Sequence, residues 1–333
     1  MFTIYSNQSC NFLLTKSILM RFLLKFIGFL LAFFVGILLI GSIVFYKKDI
    51  PIEILKAKYA NADSKFMNLM GMQVHYKEEG NPNDSIPLVL IHGTSSSLFT
   101  WDSSAAILKK QHRIIRFDLP AFALTGPSPE RDYGFIYYSR FVDSFLNRLH
   151  ITKCYMAGNS LGGGIAWHYT VSHPEKISKL ILVDASGYTT GIKTKGSLAL
   201  TLVQIPVIKN VLKWITPRSI VKKSVEDVYG DKSKVSPQLV DLYYDMALRA
   251  GNRQALIDRM QNGFKMESGL IKQIQTPTLL IWGDKDPLIP VECAALFKKD
   301  LRNSEATIFK GVGHVPMEEE PKLFAERVLL FLQ

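Results

Sequence analysis

The stretch YMAGNSLGGGIAW, residues 155–167, follows an apolar run and places Ser160 among four glycines. The spacing Gly158-x-Ser160-x-Gly162 fits the nucleophile elbow, a sharp turn from a strand into a helix that exposes a serine side chain. Glycine is needed two residues before and two residues after the serine, because side chains there would strike the neighbouring strand and helix. The stretch therefore predicts a strand, a turn with Ser160 at its apex, and a helix that starts at Leu161.

A phosphate-binding turn is the alternative for a glycine-rich stretch of this kind. Residues 157–164, AGNSLGGG, contain neither Gly-x-Gly-x-x-Gly nor the Gly-Lys-Ser/Thr ending of a P-loop. The sequence therefore favours the elbow. Gly163 and Gly164 are interpreted as positions that let the following helix pack closely.

Short apolar segments that end in polar or glycine residues recur along the chain, with helical periodicity between them. This alternation predicts an α/β fold, namely an open, mostly parallel eight-stranded sheet with helices on both faces. MQVHYKEEG, residues 72–80, is predicted as an edge hairpin strand. The other predicted strand segments are PLVLIHG (87–93), HRIIRFDLP (112–120), KCYMAGNS (153–160), KLILVDAS (179–186), TPTLLIWGD (276–284) and EATIFKGVGH (305–314).

One long segment, residues 186–270, shows helical periodicity without a convincing strand. A loop of that length is improbable in a compact domain unless it has a structure of its own. Ligands of open α/β sheets bind beyond the carboxyl ends of the strands. We therefore predict that residues 186–270 form a helical cap over that crevice, and that residues 66–185 and 271–333 form the core.

A serine hydroxyl becomes a good nucleophile only when a base takes its proton. His314 follows the last predicted strand in a glycine-flanked loop and is the predicted base. The segment WGDKDPLIP offers Asp284 and Asp286 as the carboxylate that orients this histidine. We choose Asp286, which lies at the loop apex, and expect Asp284 to bond its own turn. Asp184 is the reserve candidate for the acid, and the chain order Ser, Asp, His suits this arrangement.

The segment HGTSSS, residues 92–97, ends a strand and turns over the serine. We predict that the Thr94 backbone amide, or alternatively that of Ser95, forms an oxyanion hole together with the amide of Leu161. His92 belongs to the same side of the site. Asp118 is expected to brace the loop after its own strand.

Neither a metal nor an organic cofactor is predicted. Cys10, Cys154 and Cys293 have no metal-ligand spacing. The formal net charge is +11, and residues 1–60 contribute seven Lys/Arg against two Asp/Glu. Because the remainder has no dense Lys/Arg stripe interleaved with aromatics, the charge favours an anionic lipid surface over nucleic acid as the partner.

The segment FIGFLLAFFVGILLIGSIVFY, residues 26–46, carries no charge over 21 residues. About 20 such residues span the hydrocarbon core of a bilayer. The run is too long for the core of a signal peptide and lacks a small-x-small cleavage site. We predict an uncleaved anchor, preceded by a tail over residues 1–25 and followed by a linker over residues 47–65.

The excess of Lys and Arg on the cytoplasmic side of a membrane scarcely decides the orientation of this anchor, because such residues flank both ends of the run. A start at Met20 instead of Met1 would leave a short basic tail, as in a signal anchor. We place the N-terminus inside and the large domain on the non-cytoplasmic side.

Taken together, the segments LIHGTSSSLFTW, DLPAFALTGPSP, AGNSLGGGIAW, WGDKDPLIP and GVGHVPMEEEP resemble the α/β-hydrolase superfamily. The resemblance covers residues 66–333 and is greatest for the capped, membrane-associated lipases and esterases, near the monoacylglycerol lipases. It implies that Ser160 is the nucleophile, Asp286 the acid and His314 the base, with Thr94 and Leu161 as oxyanion donors. The chain departs from the family at Ala121 and Ala123, where the family often has glycine, which questions the shape of that loop.

The resemblance implies a serine hydrolase that cleaves carboxylic esters, with monoacylglycerols or similar lipid esters as substrates and membrane lipids as surroundings. Hydrolases that cleave carbon–carbon bonds of ring-cleavage products share the serine triad and the cap, so they remain an alternative, as does a non-lipid esterase. A non-catalytic scaffold is disfavoured because all three triad residues are present. Protein partners are not predicted.

The cap segment LALTLVQIPVIKNVLKWI, residues 198–215, has two interpretations. It is either a helix that touches the bilayer and guides acyl chains inward, or an ordinary cap helix packed on the core.

Overall fold

The computed structural model describes residues 19–36, 41, 46–188, 191, 198–205, 213–262 and 267–333. The chain divides into two units, Met1–Lys47 and Lys48–Gln333. In the first unit, helix α1 (Leu19–Gly36) has a mean hydropathy of 2.0 and is long and apolar enough to cross a membrane. Its position near the N-terminus suits a membrane anchor or a signal sequence.

Helix α1 begins earlier along the chain than the predicted segment 26–46. Arg21 and Lys25, which the sequence analysis placed in a preceding tail, lie within this helix. Residues 37–40 and 42–45 of the predicted segment lie outside the described residues. Long basic side chains near the end of an apolar helix can reach the membrane–water interface, so their position is compatible with the prediction of an anchor.

Eight strands of the second unit form a single sheet in the order β1-β2-β4-β3-β5-β6-β7-β8. The first two pairings of this order are antiparallel and the other five are parallel. This confirms the predicted eight-stranded, mostly parallel sheet. The strands are β1 (Ser64–Leu69), β2 (Met72–Glu79), β3 (Leu88–Ile91), β4 (Ile114–Phe117), β5 (Cys154–Asn159), β6 (Ile177–Val183), β7 (Thr278–Gly283) and β8 (Ser304–Phe309).

The prediction that residues 72–80 form an edge strand was wrong. Strand β1 pairs with the outer side of β2 and occupies that edge of the sheet. The turn between the two strands is made by Met70 and Gly71, with φ values of 49° and 75°. Tight hairpin turns need positive φ at these positions, and methionine does not signal such a turn in a sequence.

Helices cover both faces of the sheet, as predicted. Alternate residues of β3 show this: Val89 and Ile91 pack in one apolar cluster with α4, α5 and α10, whereas Leu88 and Leu90 pack in a second cluster with α3 and α12. The helices of this unit are α2 (Ile52–Tyr59), α3 (Asp102–Leu108), α4 (Phe135–Arg148), α5 (Leu161–Ser172), α6 (Leu198–Gln204), α7 (Arg218–Val228), α8 (Pro237–Leu248), α9 (Asn252–Asn262), α10 (Glu292–Asp300), α11 (Pro316–Glu319) and α12 (Pro321–Leu332).

Helices α6–α9 lie between β6 and β7 in the part of the chain where the cap was predicted. Within the residues of this segment that the structure describes, no strand is present. The segment therefore has the helical structure that its periodicity indicates. Helix α2 lies in the predicted linker and contacts the predicted cap segment, called the cap below, since the hydroxyl of its last residue, Tyr59, donates to Asp245 Oδ2 at 2.7 Å.

Candidate active site

Ser160 lies in the turn between β5 and α5 with φ 55° and ψ −116°, a conformation that costs free energy for any residue with a side chain. The two elbow glycines are required by close approach. A Cβ atom on Gly158 would lie 2.2 Å from the Gly162 carbonyl oxygen, and one on Gly162 would lie 2.2 Å from that of Ile91. The turn brings helix α5 so close to strands β3 and β5 that no side chain fits between them.

Backbone hydrogen bonds hold the strained serine in place. The Ser160 amide donates to the Val183 carbonyl at 3.0 Å. The Ser160 carbonyl oxygen accepts from the Gly164 amide at 3.0 Å and from both the amide and the hydroxyl of Ser186, at 3.0 and 3.1 Å. The position of the Ser160 side chain is therefore fixed by the sheet, the helix and the loop after β6.

His314 and Asp286 form the contact that the sequence predicted for a base and its acid. His314 Nδ1 lies 2.6 Å from Asp286 Oδ2, and the Asp286 side chain is buried. The other oxygen, Oδ1, accepts from the amides of Leu288 and Ile289 at 2.7 and 3.1 Å. Because these bonds orient the carboxylate toward Nδ1, the neutral imidazole carries its proton there and keeps Nε2 as the acceptor.

Asp184, the reserve candidate for the acid, makes no hydrogen bond to His314. Its Oδ1 atom accepts from the Gly283 amide at 3.0 Å, and among the described residues its buried Oδ2 atom has no hydrogen-bond partner. Burial, and then the neighbouring Asp286 charge, raise the pKa of Asp184 well above its ordinary value. The geometry thus distinguishes the two carboxyls and favours Asp286 as the partner of the histidine.

Asp184, Asp286 and His314 also place one ligand atom each within 4.8 Å of one another, a spacing that a metal ion could use. The 2.6 Å hydrogen bond between Asp286 and His314 already occupies two of these atoms. Metal coordination would require this bond to be broken inside a buried site. The donor set therefore suits a hydrogen-bonded dyad better than a metal centre.

Asp284 does not bond its own turn as the sequence analysis expected. Its Oδ1 atom accepts from the Gly311 amide at 2.7 Å, so it ties the loop after β7 to the loop that carries His314. The turn residue is Asp286 itself, through its bonds to the two following amides. The expectation failed because both aspartates suit such a turn, and only the position of the neighbouring loop separates them.

The loop after β3 lies against the serine. Gly93, Thr94 and Ser95 line the same cavity as Ser160 and His314, and Ser95 has a φ of 58°. Leu161 is the first residue of α5, so its amide is among those unpaired within the helix. Of the two predicted oxyanion donors, Leu161 therefore follows Ser160 directly in the chain, and Thr94 lies near it in the same cavity.

His92 is buried and supports this loop. Its Nδ1 atom lies 2.7 Å from the Gly93 carbonyl oxygen, and its Nε2 atom accepts from the Leu119 amide at 2.9 Å. Burial lowers the pKa of His92, which suits a neutral ring with this pair of partners. Asp118 braces the neighbouring loops as expected, since it accepts from the amides of Leu98 and Leu124.

The two alanines that depart from the family pattern keep a backbone shape typical of glycine. Ala121 has a φ of 84° and Ala123 a φ of 45°. Both are buried and line the cavity. The Ala121 amide donates to the Gly126 carbonyl at 2.7 Å, so the loop closes on itself despite the strain. The two alanines thus keep the left-handed backbone, and they add two methyl groups to the cavity lining.

Sequence reasoning missed several residues that position His314. Asn159 donates from Nδ2 to the His314 carbonyl at 2.9 Å, and the His314 amide donates to the Val228 carbonyl of the cap at 2.7 Å. Glu319 accepts from the amides of Gly230 and Gly313 at 2.9 and 3.2 Å. The three consecutive glutamates, residues 318–320, were the available signal, but their spacing in the sequence does not show which of them contacts the cap.

Glu318 forms a second link between the core and the cap. It is partly buried and accepts hydrogen bonds from three hydroxyls, those of Thr100, Tyr229 and Tyr243, the last at 2.7 Å. Burial raises the pKa of Glu318 despite these donors. The Tyr243 hydroxyl also lies 3.4 Å from Ser96 Oγ in the oxyanion loop, so the cap and this loop are connected by one hydroxyl network.

Ser160 opens into a cavity of about 210 Å³ between the core and the cap. Polar atoms of the serine, the histidine and the oxyanion loop lie on the core side, and mainly apolar side chains come from the cap. Val203 of α6 contributes to the lining, while Leu198 and Ile205 nearby are exposed. Residues 206–212 of the cap segment lie outside the described residues. The apolar cap residues in the lining are Val203, Ile220, Val221, Val225, Val228, Met246, Ala247, Leu256 and Ile257.

The chain is similar to several known proteins. An uncharacterized hydrolase of Bacillus subtilis is 28% identical over 269 residues, covering 79% of this chain and 95% of that protein. The 2-hydroxy-6-oxo-6-(2'-aminophenyl)hexa-2,4-dienoic acid hydrolase of Metapseudomonas resinovorans is 26% identical, covering 80% of this chain and 90% of that protein. The crystal structure of a bacterial membrane phospholipase A matches with a TM-score of 0.68 and 25% identity, covering 94% of this chain and 97% of that one.

A family model described as the alpha/beta hydrolase fold matches residues 86–321. The match includes the elbow, all three candidate aspartates, the histidine and the whole predicted cap. It agrees with the sheet order and with the position of the site at the carboxyl ends of the strands. The chain is therefore a member of the α/β-hydrolase fold family and a hydrolase.

Proposed function

We propose that the protein is a membrane-anchored serine hydrolase that cleaves carboxylic esters, with monoacylglycerols or similar lipid esters as substrates. The observation that carries this proposal is the cavity, in which Ser160 and His314 lie opposite a largely apolar cap wall. Such a wall suits an acyl chain, and the polar groups suit an ester carbonyl. The sequence also resembles the lipases and esterases near the monoacylglycerol lipases.

The proposed reaction follows from the geometry of the candidate triad. Ser160 Oγ attacks the ester carbonyl carbon while His314 Nε2 takes its proton, and Asp286 stabilises the imidazolium that results. The amides of Thr94 and Leu161 stabilise the oxyanion of the tetrahedral intermediate. His314 then protonates the leaving alcohol, and an acyl-enzyme forms. Water, activated by His314, attacks the acyl carbon and releases the carboxylic acid.

The lipid substrate is supported by features outside the triad. Helix α1 has the length and composition of an anchor. The similarity to the membrane phospholipase A covers 94% of this chain, a share that residues 66–333 alone do not reach. We infer an anchor over the apolar N-terminal segment with the catalytic domain on the non-cytoplasmic side, the linker 47–65 leading to the core, and residues 186–270 as the cap.

Hydrolysis of a carbon–carbon bond in a ring-cleavage product is the second candidate. The dienoic acid hydrolase of Metapseudomonas resinovorans is nearly as similar to this chain as the other relatives. A dienoic acid substrate carries a carboxylate, which needs a cationic partner when it is buried. The cationic side chain in the described cavity lining, Arg253, is already paired with Asp49, which favours the uncharged ester.

The test uses the full chain and its Ser160→Ala variant. A fluorophosphonate probe should label the wild-type serine but not the variant, and the variant should lose ester hydrolysis by about 10⁶-fold in kcat. A panel of glycerol and p-nitrophenyl esters graded by acyl length, together with a ring-cleavage dienoate, identifies the substrate class. Labelling and turnover that persist in the variant would refute Ser160 as nucleophile, and a preference for the dienoate over every ester would refute the lipid ester.

A further inference from the structure

Arg253, at the start of α9, places a guanidinium in the wall of a largely apolar cavity. Its side chain is only 8% exposed. Among the described residues that line this cavity, it is the side chain with a permanent positive charge, and no carboxylate lines the cavity with it. Since a buried charge is costly unless it is paired, the partner of Arg253 determines what this wall presents to a substrate.

That partner comes from the linker that precedes the core. Asp49 Oδ1 accepts from Arg253 Nη2 at 2.6 Å and from Nε at 3.1 Å, and Asp49 Oδ2 accepts from the Gly251 amide at 3.1 Å. Both oxygens of the carboxylate are thus engaged by the cap. A carboxylate that binds a guanidinium through two nitrogens has a fixed geometry, in contrast to an ordinary surface ion pair.

The backbone next to Asp49 holds the pair in register. The Ile50 amide donates to the Leu248 carbonyl at 2.7 Å, and the Ala250 amide donates to the Ile50 carbonyl at 2.9 Å. These two bonds form a short parallel bridge between the linker and the cap. Although the Asp49 side chain is 42% exposed, its backbone cannot leave Arg253 without breaking this bridge.

The pair has a consequence for the charge of the substrate. With Asp49 in place, the guanidinium is neutralised, and an acyl chain that ends in a methyl group meets a wall without net charge. An acyl chain that carries a second carboxylate would compete with Asp49 for the guanidinium and would be repelled by it. Specificity built by such a repulsive element is a common form of discrimination between substrates.

We propose that Asp49 determines the charge specificity of this cavity, so that the enzyme hydrolyses esters of uncharged acyl chains and excludes those with an additional carboxylate. This inference rests on the proposed ester hydrolase function and deepens it. Asp49 acts through Arg253 and is therefore a positioning residue of the substrate site, contributed by the linker.

The experiment compares two p-nitrophenyl esters of equal chain length, one of a monocarboxylic acid and one a half-ester of a dicarboxylic acid. Asp49→Asn in the full chain keeps the size and one acceptor oxygen of the side chain but removes its charge. We expect the ratio of kcat/KM for the charged ester to that for the neutral ester to rise about tenfold, given the size of coupling between close charges. The expected change is a lower KM for the charged ester with little change in kcat, since the triad is untouched.

Two further variants separate this effect from a loosened linker. Asp245→Asn removes a different contact of the linker, because Asp245 binds Lys58 and the Tyr59 hydroxyl at 2.7 Å each and is not among the cavity residues. It should leave the ratio unchanged. The double variant Asp49→Asn with Arg253→Gln should return the ratio to the wild-type value, because it removes the positive charge together with the carboxylate that neutralises it.

An unchanged ratio in Asp49→Asn, or an equal rise in Asp245→Asn, would overturn the inference. Failure of the proposed function has a different signature: the wild-type protein would then hydrolyse neither ester and would not be labelled at Ser160 by a fluorophosphonate.

Discussion

The core side and the cap side of the cavity are held by different kinds of contact. On the core side, Ser160 and His314 are fixed by backbone hydrogen bonds. The elbow glycines next to Ser160 lie so close to neighbouring backbone that a Cβ atom at either position would clash. On the cap side, the lining consists mainly of apolar side chains. The cap is joined to the core by carboxylates such as Glu318 and Glu319, and by the bond from the His314 amide to the Val228 carbonyl. Under the proposed function, the core would carry the reacting groups and the cap would form the wall that the substrate contacts.

The largest expected effect is the loss of the acid on the core side. Asp286→Asn should lower kcat by about 10⁴-fold, because an amide can hold the histidine in the wrong tautomer. Steady-state ester hydrolysis measures this effect. Asp284→Asn is the matched control, since it removes only the link to Gly311 and should change kcat by less than about tenfold. Equal losses in both variants would contradict the assignment of Asp286.

A methyl group added at the elbow should lower the free energy of unfolding more than one added at an exposed position of a short 3-10 helix. Gly162→Ala should lower the free energy of unfolding by more than about 3 kcal/mol, because its Cβ would lie 2.2 Å from the Ile91 carbonyl oxygen. Gly269→Ala is the control, as its Cβ would meet nothing within 4 Å, and it should shift stability by less than about 1 kcal/mol. Thermal unfolding of both variants tests the comparison; similar melting temperatures would show that the elbow tolerates a side chain.

The buried Asp184 should make stability depend on pH. An aspartate titrates near about 3.9 in the unfolded chain, whereas burial and the Asp286 charge raise the pKa of Asp184 in the fold. Between those two pKa values, folding takes up a proton. The contribution of Asp184 to the free energy of unfolding is therefore fully present below the unfolded pKa, and it is lost as the pH rises toward the folded pKa. Each unit of pH in that window lowers the free energy of unfolding by about 1.4 kcal/mol.

Asp184→Asn removes this titration while keeping an acceptor for the Gly283 amide. Its free energy of unfolding should therefore gain on that of the wild-type protein as the pH is raised above the unfolded pKa of about 3.9. Denaturant unfolding of the full chain in detergent at several pH values measures the difference. Parallel pH profiles for the two proteins would show that Asp184 is not protonated in the fold.

The smallest expected effect belongs to the cap side. Ile257 is buried and lines the cavity. Ile257→Ala should lower kcat/KM for short acyl esters about three- to tenfold and affect long ones less, because a longer chain can fill the space. The exposed Leu323→Ala serves as control and should leave the chain-length profile unchanged. An equal loss at every chain length would show that Ile257 does not contact the acyl group.

The core could be predicted from the sequence because its signals are local. Gly158 and Gly162 lie two positions before and after Ser160, and the parallel strands are continuous apolar runs buried on both faces. The choice of Asp286 over Asp284 followed from its place in one short loop. Strand β1 escaped prediction because its turn is formed by Met70, which gives no turn signal.

The contacts of the cap could not be predicted, since they join residues far apart in the chain. Tyr243 and Glu318 are 75 positions apart, and Asp49 and Arg253 are 204 positions apart. No periodicity or spacing identifies such partners. The sequence could show that a helical segment lies between β6 and β7, but not which carboxylates join it to the core or what the cavity wall presents to a substrate.

The hydrogen bond from the His314 amide to the Val228 carbonyl constrains how this protein could be re-engineered. Exchange of caps between relatives is an obvious way to transfer substrate preference. Here the graft would have to end before Val228 or begin after Asp231. The Val228 carbonyl accepts from the His314 amide, and the amides of Gly230 and Asp231 donate to Glu319. A chimera that keeps the native 228–231 segment should retain turnover, whereas one that replaces it loses support for its own base.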